Sequence, residues 1–186
     1  SDQGTFSLAS NGPTSFSLPP RTAGLVMPPP GYEIVRFVGQ GRMGSMYLAR
    51  QLATGREVAL KIHEPDVLAD NRAIARFEWE AVVLRALRYP HIVEFIEAGN
   101  SGAALFVAME LVDGRDASHL LQDHAGKLAL SVASPFIRQI VEAVAFAHDH
   151  GIVHRDLKPA SIPLEHKLSL CKVADFCLAK SYAEAG

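Results

Sequence analysis

Glycines at positions 39, 41 and 44 stand between two segments that both read as β-strand, and this arrangement most narrows the folds open to the chain. Tyr32 to Val38 precedes them and Ser45 to Arg50 follows, each a short run rich in apolar residues. A G-x-G-x-x-G run leading from strand into helix opens a dinucleotide-binding unit, whereas one leading from strand to strand is the tip of a hairpin. With no Cβ to block the approach, such a tip can fold its backbone amides over phosphate oxygens. Taken alone it reads equally well as a plain tight turn.

The next segments extend the pattern. Glu57 to Ile62 is expected to be a third antiparallel strand, and Lys61 alternates out of its otherwise apolar Val58-Ala59-Leu60 run, so an anion is expected beside it. Asn71 to Leu87 repeats apolar side chains at helical spacing (Ile74, Phe77, Ala81, Leu84, Leu87), with Asp70 as cap and Pro90 beyond the end. Glu80 is the favoured carboxylate partner for Lys61, and Glu78 is the competitor. Two more strands are expected at His91 to Ala98 and Ala104 to Leu111, joined by the turn Gly99-Asn100-Ser101-Gly102. After Asp113-Gly114 the chain becomes helical, with a short helix over Asp116 to His124 and a longer one from Ser134 to Asp149. The longer helix is apolar on so wide a face that it should be buried. Gly151 is expected to close it in left-handed geometry, and two short β stretches flank residue 168.

Composition limits the functions available. A net charge of −2 over 186 residues provides no positive field for nucleic acid or an anionic membrane, so a bound nucleotide has to be held locally. No apolar run approaches the roughly eighteen residues of a membrane span. The two cysteines, Cys171 and Cys177, have neither zinc nor disulfide spacing, which suggests reduced thiols in a cytoplasmic protein. Residues 1–30 hold repeated Ser, Thr, Gly and Pro and read as a disordered lead-in to one folded domain over 31–186. The chain starts at Ser1 and stops at Gly186, which suggests a piece of a longer protein.

His154-Arg155-Asp156-Leu157-Lys158-Pro159 follows the long helix, and Asp175-Phe176 lies nineteen residues beyond Asp156. With the glycine hairpin, the VALK strand and the helix glutamate, this order of motifs resembles the protein kinases, in particular the bacterial eukaryotic-like (Hanks-type) serine/threonine kinases. The resemblance implies an α+β, bilobal fold: a five-stranded antiparallel N-lobe sheet with one helix, then an incomplete helical C-lobe lacking the activation segment. It implies ATP-dependent phosphoryl transfer to Ser or Thr hydroxyls of protein substrates, with ATP and Mg2+ bound. On that pattern Lys61 would contact the α- and β-phosphates and pair with Glu80, Asp156 would accept the hydroxyl proton, and Lys158 would neutralise the γ-phosphate. Val38, Gly39, Gln40, Gly41, Arg42, Met43, Gly44, Ser45 and Met46 would wrap the nucleotide from above, with Ala59 in the apolar roof. Met109 would stand at the back of the adenine pocket, the Glu110 carbonyl and Val112 amide would receive the base, and Pro163 would lie under it. Asp175 would hold magnesium, and Arg155 would face a phosphorylated activation loop.

Three positions depart from the family pattern. Ser161 stands where an asparagine would supply a second metal ligand, leaving a shorter hydroxyl in its place. Cys177 replaces a glycine, and Pro163 replaces a leucine and removes a backbone donor from a short strand. These departures leave room for an alternative, a pseudokinase acting as a nucleotide-binding or scaffolding module, or an inactive gene fragment. Without the rest of a C-lobe, the long helix is expected to carry uncovered apolar surface.

Overall fold

The computed structural model describes residues 27–41, 44–63, 71–101, 104–165, 170–176 and 180–181. Strands β1 (Tyr32–Gly41), β2 (Gly44–Gln51) and β3 (Glu57–His63) form an antiparallel meander, followed by helix α1 (Asn71–Ala86). Strands β4 (Phe95–Ser101) and β5 (Ala104–Glu110) complete a five-stranded sheet of order β1-β2-β3-β5-β4. Short strand β6 (Gly114–Asp116) leads into helices α2 (Ala117–Asp123) and α3 (Leu130–Asp149). Beyond them lie β7 (Ile152–Val153), a 3-10 turn over Pro159–Ser161, β8 (Pro163–Glu165) and β9 (Lys180–Ser181). This is the expected N-lobe sheet with one helix, followed by helical C-lobe elements.

Strand alternation sorts the sheet into two faces. Ala49, Val58, Leu60, Ile62, Phe106 and Ala108 share the outer face and make a small core with Tyr32. Val107 and Met109 point the other way, into the main core with Phe77, Val83, Leu84 and Leu87, the buried stripe of α1. That core continues without a break into Phe136, Ala143 and Ala147 of α3 and Ile162, Leu164, Cys171, Val173 and Phe176 of the loops beyond it. Each fully buried leucine- or phenylalanine-sized side chain contributes about 1.5–3 kcal/mol.

Several boundaries differ from those expected. Strand β4 begins at Phe95 rather than His91, because the residues before it are used elsewhere: Ile92 forms a parallel bridge with Val173, and Val93 N–H donates to the Val173 carbonyl at 3.0 Å. Strand β4 runs on to Ser101, into the stretch expected to turn, with Gly99 paired to Phe106 and Ser101 to Ala104. Gly99 suits that pairing, since a Cβ there would meet the Phe106 ring at 3.0 Å. Helix α3 starts at Leu130, and Pro135, which resembles a first-turn proline in sequence, lies inside it. By length and composition α3 could cross a membrane, yet Phe136, Gln139, Ala143 and Ala147 are buried against the loops that follow it. Its opposite side presents Ile137 and Val141, 52% and 59% exposed. Gly151 takes φ +73°, the expected left-handed stop. Of the lead-in over residues 1–30, residues 1–26 lie outside the described residues, as do the Asp70 cap and Cys177.

Candidate active site

Register places the upper wall of the cleft. Met46 pairs with Lys61 and Ala59 with Met109, so Met46, Ala59, Lys61 and Met109 share the sheet face that looks toward α1 and the loops. Lys61 is only 6% exposed, so it is not a solvated surface lysine. Position 80 falls on the same helical stripe as the buried Phe77 and Leu84, whereas Glu78 is exposed. The Glu80 side chain itself lies outside the described residues, as do Arg42 and Met43 at the hairpin tip. Ser45 has the opposite parity, pairs with Ile62 and is buried away from the Lys61 face. Val38 and Gln40 are exposed on β1, next to a register shift between Phe37 and Gly39. Gly41 and Gly44 close the hairpin, and Gly44 takes φ +144° with the Ile62 carbonyl only 2.2 Å from where a Cβ would sit. Only glycine fits there.

The back of the cleft is the end of β5. Met109 is buried, Glu110 and Val112 are half-buried, and the chain then turns through β6, which pairs Asp116 with Pro163. Pro163 is half-buried on β8; its missing N–H leaves no gap because its carbonyl carries the pairing, accepting the Lys172 amide at 3.0 Å. Gly114 permits this approach, since a Cβ there would lie 1.8 Å from the Leu164 carbonyl oxygen.

The lower wall is built around His154. Its Nε2 lies 2.8 Å from the Ala174 carbonyl and its Nδ1 lies 3.3 Å from the Asp156 amide. A carbonyl only accepts and an amide only donates, so the ring is the neutral Nε2–H tautomer. Burial, the largest influence, lowers its pKa; the bond to Ala174 and the nearby Asp175 and Asp156 carboxylates oppose this without prevailing. The imidazole therefore ties the Asp156 loop to the Asp175 loop. A second tie is the Ala174 amide, which donates to the Ser161 carbonyl at 2.9 Å. Phe176, 1% exposed, packs on His154 with ring centroids 4.6 Å apart. Arg155 and Asp175 take φ +66° and +62°, a left-handed geometry that costs a non-glycine residue about 1 kcal/mol or more. Such strain persists only where the surroundings fix it, and the fixing contacts here are those of His154, Ala174 and Phe176.

Two charged groups meet on the loop: Lys158 Nζ lies 2.6 Å from Asp156 Oδ2, both partly open to solvent. Ser161 is fully buried, and its hydroxyl accepts from the Lys158 amide at 3.1 Å and donates to the Lys158 carbonyl at 2.8 Å. The hydroxyl thus shapes the turn that presents Lys158, with one lone pair left over. Magnesium commonly uses one or two protein carboxylates and takes its other oxygens from phosphates and water, so the half-buried Asp175 with this hydroxyl suits such an ion.

The protein kinase domain family matches residues 32–186. This chain belongs to that family. The kinase domain is 37% identical over 148 residues to the carbon catabolite-derepressing protein kinase of Candida glabrata and 38% identical over 148 residues to the serine/threonine-protein kinase PrkC of Bacillus subtilis, in each case over 80% of this chain. It spans 24% and 22% of those two proteins. Among solved structures it resembles the Mycobacterium tuberculosis PknI kinase domain, with a TM-score of 0.70 and 32% identity over 81% of this chain and 61% of that one.

Two residues that help to build the site are not singled out by the sequence reading: His154, which enters it only as part of a motif, and Lys172. Lys172 carries the same signal that exposed Lys61, a lysine set in an apolar run (Leu170, Cys171, Val173).

Proposed function

We propose that this kinase domain transfers the γ-phosphate of ATP to Ser or Thr hydroxyls of protein substrates. The single observation that carries the reading is the Lys158–Asp156 pair at 2.6 Å, held on a loop that His154 joins to the Asp175 turn. Adenine would enter between Met46 and Ala59 above and Pro163 below, with the Glu110 carbonyl and the Val112 amide at its edge. Lys61, paired with Glu80, would meet the α- and β-phosphates.

The acceptor oxygen attacks the γ-phosphorus, the bond from that phosphorus to the β–γ bridging oxygen breaks, and ADP leaves. Asp156 receives the hydroxyl proton and later releases it to water. Lys158, already beside Asp156, offsets charge on the transferred group and keeps the carboxylate aimed at the acceptor. Bound magnesium, held by Asp175 with Ser161 nearby, would neutralise phosphate charge.

The test is transfer of labelled phosphate from ATP to a Ser/Thr peptide library by the full-length protein. Asp156→Asn should lower kcat by about 10²–10⁴-fold, the range for a lost general base. Lys61→Met should abolish the magnesium-dependent thermal shift with ATP. An Asp156→Asn protein that keeps the wild-type rate would overturn the assignment.

A further inference from the structure

One half-buried ion pair has no part in the chemistry above. Glu110, the last residue of β5, accepts two hydrogen bonds on Oε1: from Lys172 Nζ at 2.5 Å and from the Glu94 amide at 2.7 Å. The two charged side chains are 14% and 15% exposed. Both backbones are anchored as well, Glu110 N–H on the Glu94 carbonyl at 2.9 Å and Lys172 N–H on the Pro163 carbonyl at 3.0 Å. Replacing a buried ion pair by apolar residues often leaves stability unchanged, so net stability is a weak reason for this one.

Its position supplies a better reason. Glu110 sits where the edge of the base would be received. Lys172 lies behind Pro163, the residue beneath the base, and three residues ahead of Asp175. The pair therefore ties the base-receiving end of β5 to the segment that leads into the Asp175 turn. We propose that the Lys172–Glu110 ion pair is a strut that sets the separation between the base-receiving end of β5 and the phosphate-receiving Asp175 turn, which makes Lys172 a positioning residue for ATP. This rests on the ATP-binding reading above. A ligand that engages both ends gains from having them preset, because the second contact then forms at high effective concentration. A nucleoside without phosphates engages one end only and gains nothing from the strut.

The experiment compares MgATP with adenosine in the full-length protein. In Lys172→Met the KM for MgATP should rise about tenfold, within the usual range of coupling between sites. The inhibition constant of adenosine and kcat at saturating MgATP should stay within about twofold. Lys172→Met leaves the Glu110 carboxylate without its cation; Lys172→Gln, a shorter neutral side chain whose amide still offers that carboxylate a donor, should show the same split. MgATP and adenosine affinities that weaken together, or that both stay unchanged, would overturn the strut. A wild-type protein that binds no MgATP would overturn the functional reading itself, whereas wild-type binding with unaltered variants would overturn the strut alone.

Discussion

Replacing His63 with leucine should flatten the acid side of the stability curve. His63 is fully buried at the end of β3, edge-on to Phe77 of α1 at 5.2 Å, and its Nε2 finds no hydrogen-bond partner among the described residues. Burial first, and the nearby Lys61 ammonium second, push its pKa down from 6.5 to about 4. As pH falls through 6.5 the unfolded chain takes up a proton that the folded protein refuses until about pH 4. The unfolded state therefore binds more protons across that window, and stability falls with pH by up to about 1.4 kcal/mol per pH unit. The contribution is complete above pH 6.5 and exhausted below pH 4, and the whole window amounts to about 3 kcal/mol. That is a large share of the roughly 5–15 kcal/mol that holds a domain together. His154, buried and also shifted downward, adds to the same trend but is untouched by the substitution. Urea unfolding at pH 7.5, 6.5, 5.5 and 4.5 at fixed ionic strength, followed by the fluorescence of Trp79 on α1, separates the two. At neutral pH the leucine variant should match or slightly exceed wild type, since it loses an unsatisfied polar atom. By pH 5 it should lead by about 2 kcal/mol. Parallel loss in the two proteins would refute both the burial and the neutral state assigned to His63.

Gly44→Ala should cost about 1–3 kcal/mol and weaken ATP binding, because its Cβ would collide with the Ile62 carbonyl at a backbone angle alanine avoids; a thermal melt with and without MgATP checks both effects. Gln139→Leu should destabilise by about 1–3 kcal/mol, since the buried Cys171 amide would lose the side-chain oxygen it donates to at 2.8 Å, and denaturant unfolding reads this directly. Phe176→Ala should cost about 3–5 kcal/mol by opening a cavity beside His154, and the magnesium requirement for ATP binding should rise as the Asp175 turn loosens; calorimetry at several magnesium concentrations tests the pair of effects.

Much of this protein can be read from residue order alone. Alternation within Val58-Ala59-Leu60-Lys61 places Ala59 and Lys61 on one face of β3, and helical spacing buries Phe77, Leu84 and Leu87, since both follow from local periodicity that tertiary contacts only have to accept. Gly44 and Gly151 announce their turns because few other residues tolerate those backbone angles. The start of α3 is harder to read. Ser134-Pro135 imitates a helix start, but the helix begins at Leu130 and continues through the proline, with the face carrying Phe136, Gln139 and Ala143 buried against the following loops. Likewise His91 and Ile92 look like strand, and it is the approach of Val173, 81 residues beyond Ile92, that turns them into a bridge.

What the tertiary structure alone decided is how the distant pieces of the site are joined. His154 is neutral because it is buried, with its tautomer set by the Ala174 carbonyl and the Asp156 amide, Ser161 is engaged with the Lys158 backbone, and Lys172 meets Glu110 across 62 residues. Protonation and pairing depend on burial and on which groups arrive nearby, and these are properties of the assembled core rather than of any stretch of sequence.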